Sequence, residues 1–164
     1  MKAMILAAGR GKRMMPLTAE LPKPMLCVAG KPLIEHHIMR LKAAGITQII
    51  INLAWQGDKI KTYFADGRAW GVTITYSQEV TGGLETAGGI IQALPLLGES
   101  FIVINGDVYS DYDVSALMQL HLQPKEAHIV LVENPAHNPD GDFTLSHLPT
   151  SSQRYTFSGI GRYQ

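Results

Sequence analysis

The chain has 164 residues, of which 46% are apolar, enough for one domain with a real core or for part of a somewhat larger one. Fourteen Lys and Arg balance fourteen Asp and Glu, and a net charge of zero removes any bulk electrostatic attraction to nucleic acid or to a membrane surface. A single cysteine excludes an intrachain disulfide and suits a reducing compartment.

In chain order, strand and helix signals alternate, which predicts an α/β fold with a mostly parallel central sheet covered on both faces. Lys2–Leu6 is the first strand. Gly30-Lys31-Pro32-Leu33 turns the chain into a helix, with Pro32 in its first turn and Gly45 as its stop. Leu33, Ile34, Ile38, Leu41 and Ala44 fall on one face of that helix. Thr47–Leu53 carries the unbroken run Ile49-Ile50-Ile51 of a buried parallel strand. A short helix is expected near Lys59–Ala65, a strand at Val72–Tyr76, and a helix from Gly82-Gly83-Leu84-Glu85-Thr86 to about Leu94. Phe101–Ile104 is a strand, Val114–Leu120 a helix and Ile129–Val132 a strand. Phe143–Leu145 and Tyr155–Phe157 read as late antiparallel strands after a loop rich in Pro, Asn and Gly. Cys27 lies in the apolar run Met25-Leu26-Cys27-Val28 and is expected as a buried core thiol. Trp55 and Trp70 are expected to pack, although Trp55 follows a strand's carboxyl end. There is no signal-peptide pattern and no apolar run long enough to span a bilayer, so a cytoplasmic protein with no membrane partner is expected.

The most informative stretch runs from Ile5 to Pro24. A short apolar strand leads into a loop with four cations, Arg10, Lys12, Arg13 and Lys23, and one anion, Glu20. Ala7, Ala8, Gly9 and Gly11 are too small to keep a ligand from the backbone, whose N–H groups can converge on an anion. Such a loop at the end of a first strand suits a nucleoside triphosphate. Met14 stands where the dinucleotide fingerprint requires Gly, and no Gly-Lys-Ser/Thr closes the loop as in a Walker A motif. Pro16, Pro22 and Pro24 argue against an immediate long helix. Asp107 follows a buried strand through Asn105-Gly106. It could reach a Mg²⁺ ion carried in by a triphosphate, or cap the following segment. Asp113 is the better placed cap for the helix beginning at Val114.

The ordered pattern Leu6-Ala-Ala-Gly-x-Gly-x-Arg13-Met-x-Pro-Leu-Thr-x-x-x-Pro-Lys23-Pro resembles the signature of the sugar-phosphate nucleotidyltransferases. The resemblance implies a Rossmann-like nucleotide-diphospho-sugar transferase fold and synthesis of a nucleotide sugar from a triphosphate and a sugar 1-phosphate. It implies catalytic roles for Arg13 and Lys23, with Arg10 and Lys12 ranked behind them. Asp107 becomes a Mg²⁺ ligand. Leu6, Ala8, Gly9, Gly11, Gln78, Gly83 and Asn105 become nucleotide-binding, with Glu79 competing with Gln78 for the base. Glu133, Asn134, Gly141 and Gly159 fall on the sugar side, beside Asp142 and Phe143.

Further stretches extend the resemblance over essentially the whole chain. They include Asn52-Leu53-Ala54-Trp55-Gln56-Gly57, Leu84-Glu85-Thr86-Ala87-Gly88-Gly89, Asn134-Pro135-Ala136-His137 and Thr156-Phe157-Ser158-Gly159. They point to the branch that transfers uridylyl groups to N-acetylmuramate α-1-phosphate in bacterial cell-wall recycling, and hence to UTP and that sugar phosphate as partners. Ala87 departs from the Gly often found there. A second aspartate, in a Trp-x-Asp-x-Gly-Thr-like segment, completes the metal site of relatives and has no counterpart here. This is expected of a single nucleotidyltransferase domain, 1–164, that lacks the family's C-terminal segment. Weak metal binding and self-association into a homo-oligomer could follow. The six histidines show no ligand spacing. Gly88 and Gly89 inside a helical pattern suggest close approach of a ligand or another backbone.

Overall fold

The protein is described by a computed structural model that covers residues 1–79, 84–145 and 153–164. Its strands are β1 (Lys2–Leu6), β2 (Cys27–Val28), β3 (Lys31–Pro32), β4 (Gln48–Leu53), β5 (Thr73–Gln78), β6 (Phe101–Asn105), β7 (Ala127–Val132), β8 (Phe143–Thr144) and β9 (Arg154–Tyr163). The α-helices are α1 (Leu33–Ala43), α2 (Gly57–Phe64), α3 (Glu85–Leu97) and α4 (Ser115–Met118).

The main sheet has the order β5-β4-β1-β6-β9-β7, with β8 paired to the outer end of β9. The first four of these run parallel, and β9 enters antiparallel between β6 and β7. Leu6 pairs with both Asn52 and Asn105, and Asn52 with Ser77, so the carboxyl ends of four strands finish on one edge. That edge, at the crossing from β1 outward in both directions, is where open α/β sheets bind ligands.

Alternation along β1 explains the two-sided core. Ala3 and Ile5 face one layer and Met4 the other, all fully buried. On the first face, Ile34, Ile38 and Leu41 of α1, Ile60 and Phe64 of α2 and Leu117 of α4 pack on Ile49, Ile51, Ile102 and Ile104. On the second face, Ala93 and Leu97 of α3 meet Met4, Ile50 and Val103. Among the described residues no helix is long and apolar enough to cross a membrane.

Most elements fall where expected, and the differences have local causes. Pro32 precedes α1 as its N-cap rather than entering the first turn, while Gly45 takes the left-handed φ of 84° that ends the helix. α3 runs on to Leu97 through Pro95, which lies on its exposed side while Ala93 and Leu97 hold the last turn on the sheet. α4 is a single turn rather than a helix reaching Leu120. β9 is much longer than the three residues expected. Cys27 is exposed, not a core thiol, because β2 and β3 form a separate hairpin outside the sheet and Met25 is the residue of that run that turns inward.

Candidate active site

The loop after β1 is a chain of short turns. Gly11 adopts φ 60°, and a Cβ there would lie 3.0 Å from Thr18 Cγ2 and 3.2 Å from Lys23 Cβ. Thr18 is buried and donates from Oγ1 to the Gly11 carbonyl at 2.9 Å. Turns at Lys12–Met14 and Lys23–Met25 carry the chain round to bring Lys23 back beside Gly11. Gly9 differs: its φ is not left-handed, and a Cβ added there would meet nothing within 4 Å. Neither packing nor backbone geometry requires glycine at that position, which leaves room for a ligand as the reason.

A cavity of about 750 Å³ opens at the carboxyl edge of the parallel strands. Its walls are the β1 loop from Leu6 to Gly11, Lys23, the ends of β4, β5 and β6, Glu85 and Thr86 of α3, and Asp107. Lys23 Nζ stands 2.9 Å from Asp107 Oδ2, both side chains part-exposed, so water screens the pair and its worth lies in geometry more than stability. Gly106 permits this placement: its N–H donates to the Leu6 carbonyl at 2.9 Å, and a Cβ would fall 2.8 Å from that same oxygen. Beneath the loop His37 of α1 is buried close to the backbone of Val108. Burial is the chief cause that lowers the His37 pKa to about 4, so its ring is neutral at neutral pH.

Arg10 lies with its guanidinium 5.0 Å from the centre of the Trp55 ring, on the cavity wall. Trp55 is thus a half-open wall residue, whereas Trp70 packs against Phe64 as expected. Gln78 donates to the Leu53 carbonyl at 3.2 Å and accepts from Lys61 Nζ at 3.1 Å. Glu79 points inward and is buried. Its Oε1 accepts from Asn52 Nδ2 at 2.6 Å and its Oε2 from the Leu84 N–H at 2.8 Å. Asn52 in turn accepts the Ala7 N–H on Oδ1 at 2.7 Å. Gly89 is glycine because a Cβ would sit 2.5 Å from Glu79 Oε1, so side chains of the floor crowd it rather than a ligand or another backbone.

The sugar-side candidates gather elsewhere. Glu133 and Asn134 line a second hollow of about 580 Å³ with Asp140 and Arg154. Asn134 Nδ2 donates to the Pro139 carbonyl at 2.9 Å, and its Oδ1 accepts from Thr156 Oγ1 at 3.0 Å. Gly141, at φ 61°, leaves space for the Asn134 amide 2.6 Å from where its Cβ would be. Asp142 accepts from the Phe157 N–H at 2.9 Å and from Asn138 at 3.1 Å, and those bonds hold its pKa below the usual carboxylate value. Gly159, at φ 85°, lies against Asn105, which a Cβ would approach to 2.8 Å.

The structure therefore brings Leu6, Ala8, Gly9, Gly11, Lys23, Gln78, Asn105 and Asp107 to one cavity. Arg13 is on an exposed turn outside its wall, while Arg10, ranked behind it, lines the wall. Glu133, Asn134 and Gly141 stand at the separate hollow or its supporting loop, and Gly83 lies outside the described residues. The sequence motifs assign no role to Asn52; its signal is a lone amide in the apolar run Ile-Ile-Ile-Asn-Leu, a buried polar group that must find partners. Among the described residues no group of three His, Cys, Asp or Glu side chains is placed to hold a metal. Asp107 is a single hard oxygen donor at the cavity mouth, which fits Mg²⁺ only if phosphate oxygens and water complete its shell.

Known proteins resemble the chain in sequence and in fold. The N-acetylmuramate alpha-1-phosphate uridylyltransferase of Neisseria meningitidis serogroup B is 58% identical over 176 aligned residues, covering 100% of this chain and 75% of that protein. The UTP–glucose-1-phosphate uridylyltransferase of Synechocystis sp. is 39% identical over 132 residues, 74% of this chain and 34% of that longer protein. The crystal structure of HddC from Yersinia pseudotuberculosis superposes with a TM-score of 0.80 at 25% identity, covering 99% of this chain and 76% of that one. A glycine-bearing loop after the first strand and a carboxylate at the end of the adjoining strand line one cavity, a family profile matches residues 2–143, and the chain belongs to the nucleotidyl transferase family.

Proposed function

We propose that the chain transfers a uridylyl group from UTP to a sugar 1-phosphate in the presence of Mg²⁺, releasing pyrophosphate and a UDP-sugar. The sugar is N-acetylmuramate α-1-phosphate, a choice that rests on the 58% identity to the Neisseria enzyme across the whole chain. The observation that carries the chemistry is the meeting of Lys23 and Asp107, 84 residues apart, at one cavity.

In this reading a phosphate oxygen of the sugar phosphate attacks the α-phosphorus in line, and the bond to the β-phosphate bridging oxygen breaks. The attacker is already an anion, so no general base is needed. Positioning and charge neutralisation supply the rate. Lys23 is placed against the reacting phosphates. Arg13 balances charge on the departing pyrophosphate, and Arg10 on the cavity wall is a second cation available to it. Leu6, Ala8, Gly9 and Gly11 present backbone to the nucleotide. Gln78, Gly83 and Asn105 surround the nucleoside, and Glu133, Asn134, Gly141 and Gly159 form the sugar side. Asp107 with phosphate oxygens would hold Mg²⁺, which supplies further neutralisation of phosphate charge.

The test is pyrophosphate release with UTP, Mg²⁺ and N-acetylmuramate 1-phosphate, run beside CTP, dTTP and glucose or mannose 1-phosphate. Release with the first pair is expected. Release only with another pair would keep the reaction and replace the substrate. UTP binding in a calorimeter without any turnover would favour a second reading, a nucleotide-binding module, for which the motivating observation is that, among the described residues, no group of three His, Cys, Asp or Glu side chains is placed to hold a metal. Neither binding nor release would overturn both.

A further inference from the structure

In the wall of the cavity a line of hydrogen bonds joins the loop after β1 to the start of α3. It starts at the backbone N–H of Ala7, passes through the amide of Asn52 and the carboxylate of Glu79, and ends at the backbone N–H of Leu84, where α3 begins. Its three steps measure 2.7, 2.6 and 2.8 Å. Asn52 and Glu79 are 2% and 5% exposed, so water cannot stand in for a lost partner. Gly89 seals the carboxylate from above, with no space for even a methyl group.

Each group in the line can act in one sense only. Backbone N–H groups donate, so Asn52 must turn its oxygen to Ala7 and its nitrogen to Glu79. Glu79 then meets donors on both oxygens, which an ionised carboxylate satisfies and an amide cannot. Such a chain has one arrangement of its hydrogens and therefore one relative position for its ends.

We infer that Asn52 and Glu79 are positioning residues that hold the phosphate-loop end of β1 in fixed register with Leu84, the N-cap of α3, so that one nucleotide can touch both. Glu79 on this account serves through Leu84 and is not itself a reader of the base. The inference rests on the cavity being the nucleotide site.

The polarity of the line supplies its test. Asn52→Asp alone sets two carboxylates against each other. Glu79→Gln alone sets two amide donors against each other or leaves Leu84 without an acceptor. The double variant Asn52→Asp/Glu79→Gln restores all three bonds with the central donor reversed: Ala7 to aspartate, glutamine to aspartate, Leu84 to the glutamine oxygen. Either single variant is expected to raise KM for UTP roughly tenfold to a hundredfold, the loss of one buried charge-assisted bond, with kcat and KM for the sugar phosphate within about threefold of the parent. The double variant returns KM for UTP to within about threefold of the parent.

Amide hydrogen exchange reads the same coupling without ligand. Protection at Ala7 and Leu84 drops together by about tenfold or more in each single variant and recovers in the double variant. Gly89→Ala, which presses on Glu79 from outside the line, gives the same rise in KM for UTP should the single variants fold poorly. Equal rises in both KM values, or a folded double variant no better than its parents, overturn the inference. So does loss of protection at one end alone. If the parent binds no UTP, the nucleotide reading fails, while exchange at Ala7 and Leu84 still decides whether the two ends are coupled.

Discussion

The parallel half of the sheet and the antiparallel half use their polar side chains differently. Around the ends of β1, β4 and β6, hydrogen bonds join residues 27, 45 and 84 positions apart: Asn52 to Glu79, Ala7 to Asn52, Lys23 to Asp107. Around β7, β8 and β9 the bonds of Asn134, Asn138, Asp142 and Thr156 span 4 to 22 positions and close a loop onto its own strand. The first half is preorganised around a space, with backbone and cations left facing it. The second has its polar atoms already satisfied by one another. A ligand in the first half meets a finished cradle, whereas one in the second must use what the local bonds leave over, such as Glu133.

The sharpest way to break this contrast is to remove a charge from each half. Lys23→Ala should lower kcat by about a hundredfold to a thousandfold, as expected for loss of a preorganised group opposite developing charge, with little change in melting temperature. Asp142→Asn should do the reverse, leaving kcat nearly intact and loosening the β8–β9 loop, read by faster proteolysis there. If Asp142→Asn costs as much turnover as Lys23→Ala, the two halves share the chemistry and the contrast fails.

Next in size is the response to acid, where the two halves should differ in window. His37 is buried and its pKa is lowered from 6.5 to about 4, mainly by desolvation. The unfolded chain therefore takes up the proton first. Stability contributed by the neutral ring is complete above pH 6.5 and declines as pH falls toward 4. A shift of this size corresponds to about 3 kcal/mol, measured as urea-unfolding free energy at pH 7.5 and 4.5 in the parent and in His37→Gln. The variant should show a flatter profile. Asp142 is a carboxylate with a lowered pKa, held by the Phe157 N–H first and Asn138 second. Its contribution is complete above 3.8 and is lost only as pH falls through the lower folded value. Acid should thus act on the support beneath Asp107 before it acts on the β8–β9 loop.

A third test concerns what fastens the antiparallel half to the rest. Arg162 of β9 is buried and donates to the carbonyls of Leu117 and Met118 at the end of α4 and to Ser100 Oγ. A cation there meets the negative end of the turn and adds a donor to its last carbonyls. Arg162→Met should cost roughly 2 to 3 kcal/mol of stability while sparing KM for UTP. A rise in that KM instead would tie β9 to the nucleotide cradle.

The same contrast governs what is legible in the sequence alone. The β1 loop announces itself because its elements are consecutive: small residues, cations and prolines stand in one ordered run. The inner parallel strands β4 and β6 announce themselves as continuous apolar runs. β9 does not, since Gly159 and Gly161 look like breakers in sequence. In the fold Gly159 makes room for Asn105, and the Tyr163 ring lies within 3.1 Å of where a Cβ on Gly161 would be. α4 ends where the carbonyls of Leu117 and Met118 accept from Arg162, a partner more than 40 positions away. Cys27 is misjudged because an apolar neighbourhood in sequence says nothing about a hairpin that leaves the sheet. Which of Arg10 and Arg13 faces the cavity depends on turns that the motif does not encode. Asn52 and Glu79 are visible only as polar residues in the wrong company until the strands are paired.

The smallest effect tests the cradle most directly, because two glycines two positions apart are glycine for different reasons. Gly11 needs its left-handed φ and its closeness to Thr18 and Lys23, so Gly11→Ala should lower stability by about 1 to 2 kcal/mol and with it activity. Gly9 has neither need, with no atom within 4 Å of an added Cβ. Gly9→Ala should therefore leave the melting temperature unchanged or slightly raised, since alanine restricts the unfolded chain. Its cost should fall on the ligand, as about a tenfold rise in KM for UTP, because the methyl group projects into space that the nucleotide would fill. Thermal melts and UTP titrations of the two variants separate the causes. An unchanged KM in Gly9→Ala would mean that the nucleotide passes that face of the loop at a distance, and the emptiness beside Gly9 would lose its explanation.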